Sequence, residues 1–292
     1  MKRLISLVLC LALCLPASIL AEEPASFFED AEAQKTGRII RTYDSPTLKY
    51  TVEKFLLGRE ICYLSRIWVK EPARQIRKAT STWKKNVRKV KTLAAKVREA
   101  ALVINGSGFV SPLYPEIPDN YPGQSRDYYY TPLGSVTVTD GEVFRNLEGV
   151  PYYGLALDED GLRMYVGADN GEVLATDPVQ TWSFYTGCPT LRDNEDILPA
   201  DWDFADRHAP RTIIGRVDRN NYLILTATEE RGKGITLRQG AAFFREHFRT
   251  EWVYNLDGGK SFALLCRKKG SKRLGSIASG GASIADIMAF TE

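Results

Sequence analysis

The segment best suited to chemistry is a strand that runs into a polar, glycine-rich turn, Asn255-Leu256-Asp257-Gly258-Gly259-Lys260-Ser261. Asn255 and Asp257 are two residues apart, so on an extended strand their side chains project from the same face. The two glycines after Asp257 remove side-chain bulk and let a ligand approach the backbone. A carboxylate placed there could transfer a proton or stabilise a cationic transition state. Because Asp-Gly is also a common hairpin signal, the dipeptide alone favours a plain turn.

Two further segments join an apolar strand to a tight polar turn. Ala101-Leu102-Val103-Ile104 leads into Asn105-Gly106-Ser107-Gly108, and Pro210-Arg211-Thr212 opens another apolar run. Glycines at a strand end permit a sharp turn. The Arg211 guanidinium could hold a phosphate through two parallel hydrogen bonds. The commoner alternative for the arginine segment is a strand start with a surface salt bridge.

Metal and cofactor chemistry has little support in the sequence. The only histidines, His208 and His247, lie too far apart to suggest a histidine-rich zinc centre. Asp193-Asn194-Glu195-Asp196 could hold a structural calcium, but its spacing is not that of an EF-hand and favours a solvated acidic loop. The sequence also lacks a GxSxG elbow and a Walker A loop. Calcium apart, no cofactor and no catalytic metal are predicted.

The first 21 residues have the layout of a secretory signal peptide. Lys2 and Arg3 precede the apolar run Leu4–Leu15, and Ala21 offers a cleavage position. The pattern predicts a secreted, periplasmic or cell-envelope protein with no stable membrane span after cleavage. The alternative is an uncleaved N-terminal anchor, for which the apolar run is short. Export disfavours nucleic acid as a partner.

Removal of the signal peptide leaves three cysteines: Cys62, Cys188 and Cys266. They include no CxxC pair, so a structural zinc site is not supported. Two arrangements stay open, one disulfide with one thiol outside the cell or three buried thiols.

The hydrophobic pattern predicts an α+β fold with a mixed, largely antiparallel sheet or sheets and two main helices. The helices are expected at 72–98 and 236–248, and the Gly/Ser-rich stretch 275–283 is expected to be a loop. A single domain is expected over residues 47–292, after a flexible lead-in at 22–46. Strands are predicted at 48–55, 61–69, 101–104, 136–143, 153–165 (a hairpin), 182–185, 211–217, 222–227, 252–254, 261–267 and 284–290.

The predicted helix 72–98 is strongly basic on the faces away from its apolar stripe. The whole chain has a formal net charge of only +3, so the distribution of charge is more informative than its sum. An electropositive face for an anionic polymer is one interpretation, and a solvated helix face is the other. The basic residues are Arg74, Arg77, Lys78, Lys84, Lys85, Arg88, Lys89, Lys91, Lys96 and Arg98.

A long loop at 111–132 is rich in proline and tyrosine. Tyrosines offer flat apolar faces with a polar tip, which suits sugar rings. The alternative is that they only pack the loop against the domain.

Taken in order, these segments resemble the phosphodiester glycosidase family, which includes the uncovering enzyme and many exported bacterial proteins. The resemblance spans about residues 47–292, and it rests on the order and spacing of the pieces together. The matching pieces are Ala101–Gly106, Gly187–Leu191, Ala209–Gly215, Gly232–Leu237, Tyr254–Ser261 and Ser283–Ile287. Lys260 departs from the pattern, because the family commonly has a third glycine there.

The resemblance implies a hydrolase that removes a sugar from a sugar 1-phosphodiester in a surface or extracellular glycan. By motif match, the catalytic candidates are Asp257, Arg211, Asn255 and Thr212, with Asp257 as the key carboxylate and Arg211 as the phosphate holder. The substrate-binding candidates are Asn105, Gly106, Thr236, Gly258, Gly259, Lys260, Ser261 and His208.

Two other functions stay open for the same fold. One is a non-catalytic protein that binds carbohydrate or another envelope polymer. The other is a phosphodiesterase that cuts the opposite side of the phosphate, which would release a sugar phosphate instead of a free sugar.

Overall fold

The computed structural model describes residues 27–28, 37–82, 86–109, 130–184, 188–268 and 270–292. The predicted signal peptide, most of the tyrosine-rich loop, Lys84 and Lys85 lie outside these ranges. The strands are β1 Arg38–Asp44, β2 Leu48–Leu57, β3 Glu60–Val69, β4 Ile76–Thr80, β5 Arg88–Lys89, β6 Ala100–Asn105, β7 Val136–Thr139, β8 Glu142–Asn146, β9 Tyr152–Asp158, β10 Gly161–Ala168, β11 Gln180–Ser183, β12 Pro189–Arg192, β13 Glu195–Asp196, β14 Arg211–Arg216, β15 Asn221–Ala227, β16 Trp252–Asn255, β17 Ala263–Arg267, β18 Leu274–Ser279, β19 Ser283–Ile284 and β20 Asp286–Thr291. The helices are α1 Pro72–Gln75, α2 Val90–Ala94, α3 Asn170–Leu174, α4 Asp203–Asp206 and α5 Leu237–His247, with a 3₁₀ turn at Gly259–Ser261.

The largest sheet has eight strands in the order β1-β2-β3-β15-β14-β16-β12-β13. All its pairs are antiparallel. Its central strands are buried on both faces. In β3 the two faces pack against two separate core clusters, so apolar residues occupy most positions of the strand. Helix α5 covers one of these faces with Ala241 and Phe244.

Two five-stranded antiparallel sheets complete the core. One has the order β10-β9-β11-β7-β8, and the other β18-β17-β6-β20-β4. Strand β6 lies at the centre of the second sheet, and all six of its residues are buried. The fold class is therefore α+β, as predicted, with antiparallel strands as the dominant element.

The predicted helix at 72–98 is wrong. Among the described residues of this range, only α1 and the short α2 are helical. Strands β4 and β5 lie between them, and β4 pairs antiparallel with β20. The apolar spacing had favoured a helix, but the chain instead extends the five-stranded sheet, so long-range pairing overrides the local pattern. The second predicted helix is confirmed as α5.

Two segments that were predicted to lack regular structure contain strands. Part of the predicted 275–283 loop forms β18, which pairs with β17. Part of the predicted lead-in forms β1, which pairs with β2. Both are edge strands with a single buried residue each, so neither needs the apolar alternation by which a strand is recognised.

The cysteines Cys62, Cys188 and Cys266 are buried, and no disulfide joins them. Burial raises the pKa of the Cys62 thiol to about 12. Within the described ranges, no helix combines the length and apolar character needed to cross a membrane. The same part of the chain contains no cluster of three or more His, Cys, Asp and Glu side chains arranged to hold a metal ion.

Candidate active site

The candidate site lies where the chain passes from the eight-stranded sheet to the sheet that contains β6. Strand β16 ends at Asn255, and the next amide, that of Leu256, donates to the Thr212 carbonyl at 2.9 Å. The Asp257 amide then donates to the Gly106 carbonyl at 3.1 Å, at the end of β6. Asp257 is therefore held where the two sheets meet, although Asp257 and Gly106 are far apart in the sequence.

The Asn105 side chain fastens this junction. Its Nδ2 donates to the Asp257 carbonyl at 2.7 Å. Its Oδ1 accepts from the Thr212 hydroxyl at 2.7 Å and from the Ala263 amide at 3.0 Å. Asn105 and Thr212 are both fully buried. The Asn105 side chain therefore hydrogen-bonds both to the Thr212 hydroxyl and to the Asp257 backbone.

The Asp257 carboxyl has a pKa well above the ordinary value for an aspartate. Burial raises its pKa from 3.8 to about 7, and the charge of Asp286 adds to the increase. Hydrogen bonds from Ser261 and from the Gly258 amide, which donates to Oδ1 at 2.8 Å, act in the opposite direction. Asp257 therefore exchanges its proton near neutral pH, as a general acid or base requires.

The glycines after Asp257 allow a close backbone approach. A Cβ on Gly258 would lie 2.6 Å from the Pro210 carbonyl oxygen, so any other residue would displace this segment. The Gly259 amide donates to the same oxygen at 2.9 Å, and Gly259 has a positive φ of 54°. Lys260 follows on the 3₁₀ turn with an exposed side chain.

Arg211 and Thr212 are consecutive in β14, so their side chains point to opposite faces of the sheet. The Arg211 guanidinium lies over the Phe204 ring at 4.6 Å, and its Nη2 donates to the Arg207 carbonyl at 2.7 Å. Its Nε donates to the Ile235 carbonyl at 3.4 Å. Burial lowers the pKa of Arg211 to about 10, so the side chain stays cationic at neutral pH.

This buried cation has no carboxylate counter-ion among the residues that the structure describes. Asp257 and Arg211 form no ion pair. The Arg211 Nη1 makes no hydrogen bond within the same set of residues. Carbonyl oxygens thus hold the Arg211 guanidinium in place, and its Nη1 group donates to no described residue.

The Asn255 side chain makes local contacts at the end of β16, and the regular strand on which the alternation argument depends does not reach Asp257. The strand ends at Asn255, and its Nδ2 turns back to the Leu256 carbonyl at 2.7 Å, with the Cys188 sulfur at 3.6 Å. The Asn255 Oδ1 is buried and has no hydrogen-bond partner in the described part of the protein. A buried acceptor left in this state is costly, so it is a candidate contact for a ligand donor.

His208 and Thr236 meet near the turn that precedes α5. The His208 Nδ1 lies 2.8 Å from the Gly234 carbonyl, which only accepts, so Nδ1 is the nitrogen that donates in this contact. The Thr236 hydroxyl accepts from the Gln239 amide, and the Gln239 side chain accepts from the Thr236 amide. Thr236 therefore caps α5 through a reciprocal capping box.

A buried ion pair between Lys78 and Asp286, which no motif in the sequence indicates, lies beneath the site. The Lys78 Nζ lies 3.2 Å from the Asp286 carboxylate, and both side chains are fully buried. The other Asp286 oxygen accepts from the Ser107 amide at 2.5 Å, and the Ser107 hydroxyl donates to Asp286 at 2.9 Å. The pair therefore fixes the turn that carries the Gly106 carbonyl, to which Asp257 is bonded.

Gly106 lies between this ion pair and a tryptophan, where there is no room for a side chain. A Cβ at Gly106 would lie 2.2 Å from the Asp286 Oδ1 and 2.9 Å from the Trp182 ring. The Lys78 Nζ lies over the same ring at 5.7 Å. Gly106 is thus required by packing, and only its backbone is available to the site.

The sequence profile of the phosphodiester glycosidase family matches residues 98–291. Two solved structures share the fold. One is the zebrafish N-acetylglucosamine-1-phosphodiester α-N-acetylglucosaminidase catalytic domain, auto-inhibited by its pro-peptide, with 18% identity and a TM-score of 0.62 over 88% of this chain and 87% of that one. The other is a Synechocystis protein described as hypothetical, with 12% identity and a TM-score of 0.54 over 88% of this chain and 64% of that one. No curated protein sequence matches significantly. The match of the profile to most of the chain shows that this protein belongs to the phosphodiester glycosidase family.

Proposed function

We propose that this protein is a hydrolase that removes a sugar from a sugar 1-phosphodiester. The observation that carries the proposal is Asp257, a buried carboxyl whose pKa is raised to about 7 at a junction of two sheets. Membership of the phosphodiester glycosidase family supports the same reaction class. The zebrafish relative is named for an N-acetylglucosamine 1-phosphodiester, so we propose an N-acetylhexosamine as the sugar.

In the proposed reaction, a water oxygen attacks the sugar C1. The bond between C1 and the phosphate oxygen breaks, and the phosphate monoester leaves with the electron pair. Asp257 accepts the proton that the water loses. Because a phosphate monoester leaves without protonation, a base is more useful here than an acid. The reaction needs only water and protein side chains.

Arg211 is the proposed phosphate holder. Its guanidinium is already immobilised by carbonyls and by the Phe204 ring, so binding costs little side-chain entropy. A bound phosphate would supply the counter-ion that this buried cation lacks among the described residues. The Asn255 Oδ1 is proposed to accept a donor from the sugar.

The substrate is proposed to lie outside the cytoplasm, in a surface or extracellular glycan. This part of the proposal rests on the first 21 residues, whose basic start, apolar run and Ala21 fit an export signal.

The proposal is tested by turnover of the methyl phosphodiester of N-acetylglucosamine 1-phosphate. Asp257→Ala is expected to lower kcat by about 10²–10⁴-fold, the usual contribution of a positioned proton-transfer group, with substrate binding retained. The matched control is Asp201→Ala, an exposed aspartate that should leave kcat unchanged.

Two outcomes would contradict the proposal. A wild-type protein that binds but does not hydrolyse a panel of sugar 1-phosphodiesters would be a binding protein instead. Equal activity of the Asp257→Ala variant and the wild type would remove Asp257 from the chemistry.

A further inference from the structure

A strongly basic face lies beside the candidate site and takes no part in the chemistry described above. It is built from two segments, residues 86–109 and 258–285. In the sequence they contain eleven Lys and Arg residues and one acid, Glu99, which is a net charge of +10 in a chain whose total is +3. Of these, Lys269 lies outside the described residues, and the buried Arg267 pairs with Glu292. The rest of the chain therefore carries −7, so the charge of this protein is segregated.

The two segments are joined in space. Strand β19 pairs with β5, so Ser283 lies opposite Lys89. The Lys89 ammonium donates to the Gly281 carbonyl. The neighbouring Ala282 amide donates to the carbonyl of Lys260 at 3.1 Å. The basic face thus runs without a break from Lys260, on the turn after Asp257, to the edge of α2.

Beyond Lys89 the face contains a groove of about 420 Å³ between α2 and the β17–β18 hairpin. Its lining includes the buried side chains of Ala94, Leu265 and Arg267 and the exposed acid Glu99. None of the three exposed cations on its rim pairs with a carboxylate among the described residues. These rim cations are Lys91, Lys272 and Arg273.

Strand β17 connects the groove to the site. The Ala263 amide donates to the Asn105 side chain at the site, whereas Leu265 lies in the floor of the groove. Two residues of a strand span about 7 Å. The groove therefore begins close to the site and follows β17 away from it.

We propose that this basic face binds the phosphates of a polyanionic glycan, so that the substrate is a polymer of sugar phosphodiesters. The inference rests on the proposed function of the site. Such a polymer carries its charges at intervals along a line. Exposed cations from Lys260 and Lys89 to the rim of the groove complement such a line of charges.

An anionic membrane surface fits this face less well. Lipid headgroups form a broad layer, whereas the apolar side chains here lie at the bottom of a groove. Leu265 is 1% exposed and Ala94 is 3% exposed, so neither can enter a bilayer. A linear chain can instead follow the groove and contact the exposed cations on its rim.

The test compares two triple variants with the same change in charge. The first is Lys91→Gln/Lys272→Gln/Arg273→Gln, and the control is Arg59→Gln/Lys70→Gln/Arg249→Gln, three exposed residues outside the two segments. The substrates are a long-chain fraction of a capsular polymer with N-acetylhexosamine 1-phosphate repeats and the methyl phosphodiester of the same sugar phosphate.

For the long polymer, the first variant is expected to raise KM on the order of ten-fold at low salt, from three lost surface charge contacts. The difference should shrink in high salt, because exposed charges are screened. The kcat and the kinetics of the small substrate should not change, and the control variant should match the wild type.

An unchanged KM in the first variant, or an equal increase in the control, would overturn the proposal. So would loss of binding to vesicles of phosphatidylglycerol and phosphatidylcholine in the first variant, with polymer KM unaltered, because the face would then serve a membrane. If the wild type hydrolyses neither substrate, the proposed function fails. Direct binding of the long polymer then decides the role of the face, which is supported only if the first variant alone loses binding.

Discussion

The Lys78→Met substitution is expected to lower the free energy of unfolding by about 3–5 kcal/mol, the range for breaking a buried ion pair on one side. Lys78 and Asp286 are fully buried and 3.2 Å apart. Burial lowers the pKa of Lys78 and raises that of Asp286, and in each case the partner's charge acts against the shift. Removal of the lysine leaves the Asp286 carboxylate in the core with only Ser107 to stabilise it. Urea unfolding at pH 7 measures the loss.

Two further variants distinguish the loss of this ion pair from the general effect of replacing a lysine on the free energy of unfolding. The double variant Lys78→Met/Asp286→Asn should regain most of the stability, because removal of both charges leaves nothing uncompensated. Lys96→Met is the control, since the exposed Lys96 donates only to the Thr80 carbonyl and its loss should cost no more than about 0.5 kcal/mol. The prediction is wrong if Lys78→Met costs no more than Lys96→Met.

The Asp257→Asn substitution is expected to stabilise the protein while it lowers kcat by about 10²–10⁴-fold, as Asp257→Ala does. Burial raises the pKa of Asp257 from 3.8 to about 7, so between these values the folded protein holds a proton that the unfolded chain has released. The wild type therefore loses stability as pH rises through this window, and the loss is complete above pH 7. The asparagine does not titrate, so the variant escapes this loss, which is about 4 kcal/mol at most for a shift of this size.

The measurement is the difference in the free energy of unfolding between Asp257→Asn and the wild type from pH 4 to pH 8. It should grow with pH up to about 7 and then remain constant, since contributions from other groups cancel in the difference. Asp201→Asn, at an exposed position, should give a flat difference. Parallel curves for Asp257→Asn and the wild type would show that Asp257 titrates in the folded protein as it does in the unfolded chain.

The segments of the candidate site could be predicted from the sequence because each has a local signature. Asn105-Gly106, Arg211-Thr212 and Asp257-Gly258-Gly259 are polar residues at the ends of apolar strands, and the structure joins them through the Asn105 side chain and the Asp257 and Gly259 amides. Helix α5 was predictable for a similar reason, because its cap and its apolar face are both local.

The remaining features depend on pairing between distant strands. Strand alternation placed Asn255 and Asp257 on one face, but the Asp257 amide pairs with Gly106 in another sheet, and no spacing within the segment reveals this. The local sequence pattern predicts an exposed helix face for Lys78. Its burial follows from the pairing of β4 with β20, which sets Lys78 opposite Met288 and brings Asp286 within reach. A lysine next to other basic residues carries no local sign of such a partner.

The most direct test of the proposed chemistry is hydrolysis of the sugar 1-phosphodiester in ¹⁸O-labelled water. Cleavage between C1 and oxygen adds the water oxygen to the sugar, so the released phosphate monoester should carry no label. Phosphate oxygens do not exchange with water under assay conditions, which makes this fragment the decisive one. Label in the phosphate would mean attack at phosphorus, and it would contradict assignment of this protein as a glycosidase.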